Sequence, residues 1–268
     1  TTAPLTAPPS AAQPPLLRFT GCAQFRQRLV FATLARRGLV ITGIRSDDEV
    51  PGLKSYEATF LRLLDALTNG ARIEINETGT ALKYVPGIIV GGVLEHDCGV
   101  EKAIGWFIEG LLPLLPFGKK GVALTLTGVT NDDTDFNVDT LRTGVLPVLA
   151  HFGLTDGLAL NIKRRGALPE GGGCVQLYCP SVRQLIPINL TEEGLVRKVR
   201  GISYCSRVSP QMANRLVEGS KYVCACARVR ASSHAPTRPH TRPPAHTHTH
   251  PRTPLHSRRS VLVAGACC

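Results

Sequence analysis

The apolar positions of this chain change period several times, and each change marks an element. Residues 16–20 alternate as a short strand, and Gly21-Cys22-Ala23 turns into a helix predicted over 24–37. Its apolar positions Phe25, Leu29, Val30 and Leu34 leave Arg26, Gln27, Arg36 and Arg37 largely on the other side, and Gly38 is the expected stop. A strand follows over 39–44, then a loop through Asp47-Asp48-Glu49-Val50-Pro51-Gly52. Ser55 is placed to cap a second helix that runs to Thr68, with Tyr56, Phe60, Leu63, Leu64 and Leu67 on one face. Residues 71–76 and 80–85 read as a hairpin around Glu77-Thr78-Gly79.

The same order then repeats. A strand is predicted over 88–95, a helix over 99–115, a strand over 122–127, a polar loop over 129–137, and a helix over 138–152 that Pro147 should kink or break. Strands over 158–164 and 174–178 close the run. The repeat distance is about 73 residues. Strand-helix-strand crossovers place two helices on one face of a four-stranded sheet in each unit. The expected fold is therefore α/β (α+β), built of two βαβαββ units over 16–87 and 88–180.

Beyond these units the pattern changes. Strands over 186–190 and 201–208, and a helix over 210–223 with Met212, Leu216 and Val217 on one face, read as a partial inserted αβ domain spanning 181–223. Residues 1–15, rich in Ala, Pro and Thr, read as a disordered leader. Residues 224–268 read as a disordered or aberrant tail, in which His234, His240, His246, His248, His250 and His256 fall among Thr, Pro and Arg.

Charge narrows the partners. The formal net charge is +11, but residues 224–268 hold seven Arg and no acid, so 1–223 carry 24 basic against 20 acidic residues. A body this mildly basic does not by itself announce a nucleic-acid binder. Aromatic residues make up only 5% of the chain, which argues against a base-stacking platform. The nine Cys show no paired spacing in the body, so reduced thiols are expected, and no metal or cofactor is predicted. No run of 18 apolar residues exists, so no membrane helix is expected.

Chemical candidates are few. His96-Asp97, at a strand-to-helix junction, is the only His-Asp pair of the body, and Cys98 could be activated by the N-terminus of the helix that follows. Asp132, Asp133, Asp135 and Asp139 lack the spacing of a calcium loop and read as a solvated acidic stretch, as do Asp47, Asp48 and Glu49. Arg26, Arg28, Arg45, Lys163, Arg164, Arg197, Lys198 and Arg200 are the candidates for contact with an anion or RNA.

The stretch Arg164-Arg165-Gly166-Ala167-Leu168-Pro169-Glu170-Gly171-Gly172-Gly173-Cys174-Val175 lies between two strand candidates. Its glycines allow close backbone approach, and a hairpin turn is the plain alternative. The pattern Arg165-Gly166, Pro169, Gly171-Gly172-Gly173, Val175 resembles the signature of the RNA 3′-terminal phosphate cyclase family. Supporting segments are Arg26-Gln27-Arg28-Leu29-Val30, Pro51-Gly52-Leu53, Thr68-Asn69-Gly70-Ala71-Arg72, Glu95-His96-Asp97-Cys98, Gly128-Val129-Thr130-Asn131-Asp132 and Arg207-Val208-Ser209-Pro210-Gln211. They are similar to the eukaryotic nucleolar, cyclase-like branch over about 16–223. The resemblance implies a large domain of βαβαββ repeats with a smaller inserted domain, here in a C-terminally truncated form.

The departures bear on chemistry. Where active members carry Glu-Gly-Gly-Gly-Gln, this chain has Phe19-Thr20-Gly21-Cys22-Ala23, and where they carry Gln-His it has Tyr56-Glu57. The repeat that holds their nucleophilic His is not matched. The expectation is therefore no cyclization and no adenylylation. What the branch implies instead is a non-catalytic factor of small ribosomal subunit biogenesis. It would act in early pre-rRNA processing and 18S rRNA maturation, within the nucleolar small-subunit processome. The implied partners are pre-rRNA, a small nucleolar RNP and a ribosome-biogenesis GTPase. A pre-rRNA endonuclease is the alternative, and an RNA 3′-phosphate cyclase a remote one.

Overall fold

The computed structural model describes residues 15–191, 202–205, 208–232 and 264–265. The first unit runs β1 (Leu17–Thr20), α1 (Phe25–Ala35), β2 (Leu39–Thr42), α2 (Ser55–Leu67), β3 (Thr68–Asn69), β4 (Arg72–Ile75) and β5 (Leu82–Val85). The second runs β6 (Ile88–Ile89), β7 (Gly92–Asp97), α3 (Ile104–Leu111), β8 (Val122–Gly128), α4 (Val138–Thr140), α5 (Leu146–His151), β9 (Ala159–Arg164) and β10 (Gly173–Cys179). After these come β11 (Ile202–Ser203), α6 (Gln211–Ser232) and β12 (Ala264–Gly265).

Each unit forms one four-stranded sheet, and the two sheets share one topology. The orders are β1-β2-β5-β4 and β7-β8-β10-β9. In each, the first two strands are parallel and the other neighbours antiparallel. The predicted βαβαββ repeat is thus present twice. Period-2 alternation sets which face is covered: Leu17, Leu39, Tyr84 and Ile73 align across the first sheet, and Leu94, Leu124, Leu177 and Leu160 across the second. Most of these side chains are buried or partly buried in one apolar cluster that runs through both units.

The units meet through helices. Tyr56 and Phe60 of α2 set their rings edge-on to Trp106 of α3, at centroid distances of 5.3 and 5.7 Å. Arg26 of α1 stacks its guanidinium 4.0 Å from the Trp106 ring centre and pairs with Glu109 at 3.2 Å.

Element bounds differ from the sequence pattern in several places, some through tertiary contacts and some through local backbone chemistry. The predicted strand 88–95 is two strands, since Gly91 and Gly92 take left-handed conformations (φ 76° and 102°) and β6 leaves to pair with β3. The helix predicted from 99 begins at Ile104, because Ala103 bridges Val129 and donates its N–H to Asp135 Oδ2 at 3.0 Å, holding 99–103 out of the helix. The helix predicted over 138–152 is interrupted. Pro147 has no N–H to give, and just before it Leu141–Val145 widens into a π turn with Leu146 N–H reaching Leu141 O. Helix α1 ends at Arg36 in a left-handed conformation (φ 52°) rather than at Gly38. Helix α2 is capped at Lys54 rather than Ser55, its N–H satisfied by the Glu57 carboxylate at 3.0 Å.

The C-terminal element also differs. Residues 186–190 form no strand, and among the described residues their backbone tie is Ile186 N–H to Phe152 O at 2.9 Å. Of the strand predicted over 201–208, Ile202–Ser203 is formed, while 201, 206 and 207 lie outside the described residues. Helix α6 continues past Cys224, where the sequence pattern placed the start of the tail, to Ser232, and Ala264–Gly265 pairs in parallel with Ile202–Ser203. The leader through residue 14 and 233–263, including all six tail His, lie outside the described residues.

Candidate functional site

The signature loop joins β9 to β10 at one end of the second sheet. Its glycines sit where backbone meets backbone. A Cβ on Gly166 would stand 2.1 Å from Gly173 N, 2.4 Å from Gly171 O and 2.7 Å from Gly128 O. One on Gly173 would meet Thr130 Cγ2 at 2.6 Å and Gly128 O at 2.8 Å. Gly171 and Gly172 hold φ of 66° and 73°, which a side chain would strain. Thr130 closes the junction, giving its N–H (2.9 Å) and hydroxyl (3.0 Å) to Gly166 O while accepting Gly166 N–H at 3.2 Å.

Arg165 anchors the loop. Its Nη1 and Nη2 donate to Asp139 Oδ2 and Oδ1 at 2.7 and 2.9 Å, and the guanidinium lies 4.0 Å from the Tyr204 ring centre. Asp139 is buried, with its side chain 3% exposed. Burial pushes its pKa up, but the Arg165 hydrogen bonds and charge, with help from Asn131 and Arg142, outweigh this and hold it below the ordinary 3.8. A depressed folded-state pKa supports the fold above the unfolded value and ceases to do so as pH falls through the folded one. Stability should therefore drop as pH is lowered below about 4, the ordinary carboxylate range. Thermal melts from pH 7 to pH 2 should show Asp139→Asn losing part of this acid sensitivity while starting from a lower stability at pH 7. An unchanged profile would remove Asp139 from the account.

Asp139 and Asp135 correct the expectation of a solvated acidic stretch. Asp135 is partly buried, pairs with Lys102 at 2.9 Å and accepts Ala103 N–H; Asp132 turns back on Thr134 and Asp135 N–H at 2.9 and 2.5 Å. No group of His, Cys, Asp or Glu fit to hold a metal occurs among the described residues.

The other candidate place is the β1–α1 loop with the β2–α2 junction. Arg45, itself in a left-handed conformation (φ 47°), donates from Nη1 and Nη2 to Glu57 Oε2 and Oε1 at 2.8 and 2.7 Å, and from Nη1 to Gly52 O at 3.1 Å. Both side chains are nearly enclosed, at 12% and 4% exposure. The Glu57 hydrogen bonds, with its charge, raise the Arg45 pKa against burial. Arg28 serves the same loop from α1, donating to Gly21 O at 2.8 Å and lying 4.7 Å from the Phe19 ring centre.

The basic residues picked out from sequence thus divide. Arg26, Arg28 and Arg45 are engaged within the protein. Lys163 and Arg164 stand exposed on β9, with Arg164 Nε donating to Gly172 O. Arg197, Lys198 and Arg200 lie outside the described residues, as does Arg207. Among the described residues, the set is therefore not brought into one groove. His96 turns toward α2, where burial lowers its pKa and leaves its Nε2 without a hydrogen bond partner among the described residues. Cys98 is buried, burial pushes its thiol pKa up, and no helix starts beside it, so the activated nucleophile considered from sequence is not present. Sequence reading missed Glu57 as the partner of Arg45 and Asp139 as the partner of Arg165. Both partners are distant in sequence, and no local periodicity pairs them.

Paired βαβαββ units, and a glycine loop whose backbone packs on the preceding strand end, define a cyclase-type repeat scaffold. The sequence pattern of the RNA 3′-terminal phosphate cyclase family matches residues 17–261, past residue 223 where the motif-by-motif resemblance ended. The chain belongs to that family. It is 49% identical over 214 residues to the human RNA 3′-terminal phosphate cyclase-like protein, covering 80% of this chain and 57% of the relative. To the probable RNA 3′-terminal phosphate cyclase-like protein of Dictyostelium discoideum it is 49% identical over 207 residues, 77% of this chain and 56% of the relative. To the rRNA processing protein rcl1 of Schizosaccharomyces pombe it is 49% identical over 210 residues, 78% of this chain and 58% of the relative. The chain thus spans a little over half the length of these relatives.

Proposed function

We propose that this chain is a non-catalytic, cyclase-like factor of rRNA processing. It serves small-subunit biogenesis and 18S rRNA maturation in the nucleolus, alongside pre-rRNA, a small nucleolar RNP and a ribosome-biogenesis GTPase. The similarity to proteins named for rRNA processing supports the process. The observation that carries the non-catalytic part is the Arg45–Glu57 pair. Where active members of the family are expected to carry Gln-His, Glu57 folds onto Arg45 and satisfies it with two charged hydrogen bonds. A guanidinium so neutralised has little left to offer a phosphate.

The chemistry is tested by incubating the purified chain with ATP and RNA ending in a 3′-phosphate. The expected result is unchanged linear RNA and no labelled protein; a 2′,3′-cyclic end or adenylylated protein would overturn the non-catalytic reading. The process is tested separately, by crosslinking the tagged chain in cells and sequencing bound RNA. Recovery of pre-rRNA with a GTPase in the same particles is expected, and its absence would remove the assembly role.

A further inference from the structure

The mild net charge of the body hides a division between the two ends of its sheets. In the loops that follow β2 and β7 stand Asp47, Asp48, Glu49 and Glu101, all exposed. The other end is basic, and it is where the two units are stitched together. Thr68 and Asn69, just after α2, pair with Ile89 and Ile88, just before β7. Lys119 and Lys120 give their N–H groups to Ile89 O and Val90 O at 3.1 and 3.0 Å. Val182 N–H reaches Pro116 O at 2.8 Å, and the Ser181 hydroxyl donates to Gly118 O. Gly87 lets this seam close, since a Cβ there would stand 2.4 Å from Asn69 O and 2.6 Å from Ala71 N. Residues 68–72, 86–92, 116–122 and 179–183 are therefore neighbours, though far apart along the chain.

These four segments contain no Asp or Glu. They carry Arg72, Lys119, Lys120 and Arg183, all exposed. Among the described residues none of the four has an ion-pair partner. Of the acids that flank the segments in sequence, Glu74 is taken by Lys83, and Asp65 stands on α2, a turn before the seam. Four cations gathered on one surface without a carboxylate between them suit a ligand with several phosphates. Phe117 and Ile88 stand among them, 40% and 46% exposed. An exposed aromatic ring beside lysines adds what a bare polyanion does not use, a face on which an unpaired base can stack.

We propose that this seam binds single-stranded RNA, with phosphates on Arg72, Lys119, Lys120 and Arg183 and a base against Phe117, an assignment that rests on the role in rRNA processing. Arg26, Arg28 and Arg45 are engaged within the protein, whereas the seam's cations are not. The acidic loops at the far end of each sheet repel a polyanion and steer it to this end. Composition hides the surface, because its four basic residues come from separate segments and are offset in the total by acids elsewhere.

The test is fluorescence anisotropy of a labelled single-stranded RNA of about 12 nucleotides, titrated with the full chain between about 50 and about 200 mM KCl. Lys119→Glu with Lys120→Glu is expected to weaken binding about tenfold or more, and to lower the slope of log Kd against log salt by about 1.4, two phosphate contacts at about 0.7 each. Arg72→Glu with Arg183→Glu should do the same. Phe117→Ala should weaken binding about fivefold or more, the low end for one stacked base, and leave the slope unchanged. Lys163→Glu alters an exposed base at the far end of the second sheet and should change little. Residues 224–268 are common to all variants, so a difference among them reports the seam. Circular dichroism should match throughout, because the altered side chains are exposed. Seam variants that bind like the unaltered chain, or an equal loss for Lys163→Glu, overturn the proposal. Undiminished binding by Phe117→Ala, with polyphosphate bound as tightly as RNA, overturns it too, since the surface would then take any polyanion. Crosslinking in cells separates the seam from the process. Undiminished recovery of pre-rRNA by the seam variants overturns the seam alone. No recovery by the unaltered chain overturns the process, and the titration still decides the seam.

Discussion

Replacing Gly166 with alanine is expected to cost about 3 kcal/mol or more of stability, the upper range for forcing atoms into a packed interior. The added carbon would meet Gly173 N at 2.1 Å, Gly171 O at 2.4 Å and Gly128 O at 2.7 Å. All three are backbone atoms, so no side chain can rotate away. Nor can Gly166 itself move, because Thr130 holds both its N–H and its carbonyl. Relief has to come from parting β8 from the loop, which also loosens the Arg165–Asp139 anchor. Urea denaturation followed by tryptophan fluorescence, with Trp106 as the single reporter, measures the loss. Gly172→Ala is the internal control. Nothing lies within 4 Å of the added carbon there, so its cost is confined to strain at φ 73° and should be about 1 kcal/mol. Equal costs at the two positions would mean that close packing is not what the loop's glycines provide.

Glu57→Ala is expected to cost about 3–5 kcal/mol, the range for removing one partner of a buried ion pair. The figure stands at full size because neither side chain is more than 12% exposed, so solvent cannot take over the abandoned guanidinium. A second loss accompanies it: the Lys54 N–H at the start of α2 gives up its carboxylate acceptor. Glu57→Gln keeps the shape and an acceptor for Lys54 but not the charge, and should lose clearly less. Chemical denaturation of the two variants at pH 7 separates the terms. A loss below about 1 kcal/mol for Glu57→Ala, the value of an exposed pair, would mean that Arg45 finds other acceptors, and would take the physical support from the non-catalytic reading.

Much of the scaffold was legible along the chain. Phe25, Leu29 and Val30 in α1, Phe60, Leu63, Leu64 and Leu67 in α2, and the alternation of β8 and β10 announce their buried faces by period alone. The signature loop was legible too, because three successive glycines and a proline are rare outside a place that needs them. Boundaries were less so. The start of α3 was set by Val129 and Asp135 reaching Ala103, and the split of 88–95 by β3 offering β6 a partner. A local pattern carries no record of such partners.

The chain's own sequence determined the family and the repeated strand and helix order. These depend on residue type and on spacing within one element, which the chain states outright. Tertiary structure alone decided which charges are free. Arg26, Arg28 and Arg45 look alike in sequence to Lys163 and Arg164, yet the first three are tied to Glu109, Gly21 and Glu57, Arg164 gives its Nε to Gly172 O, and Lys163 stands exposed. The reason is physical: a charge is spent or available according to the acceptors that folding brings within about 3 Å of it, and those acceptors arrive from distant segments of the chain.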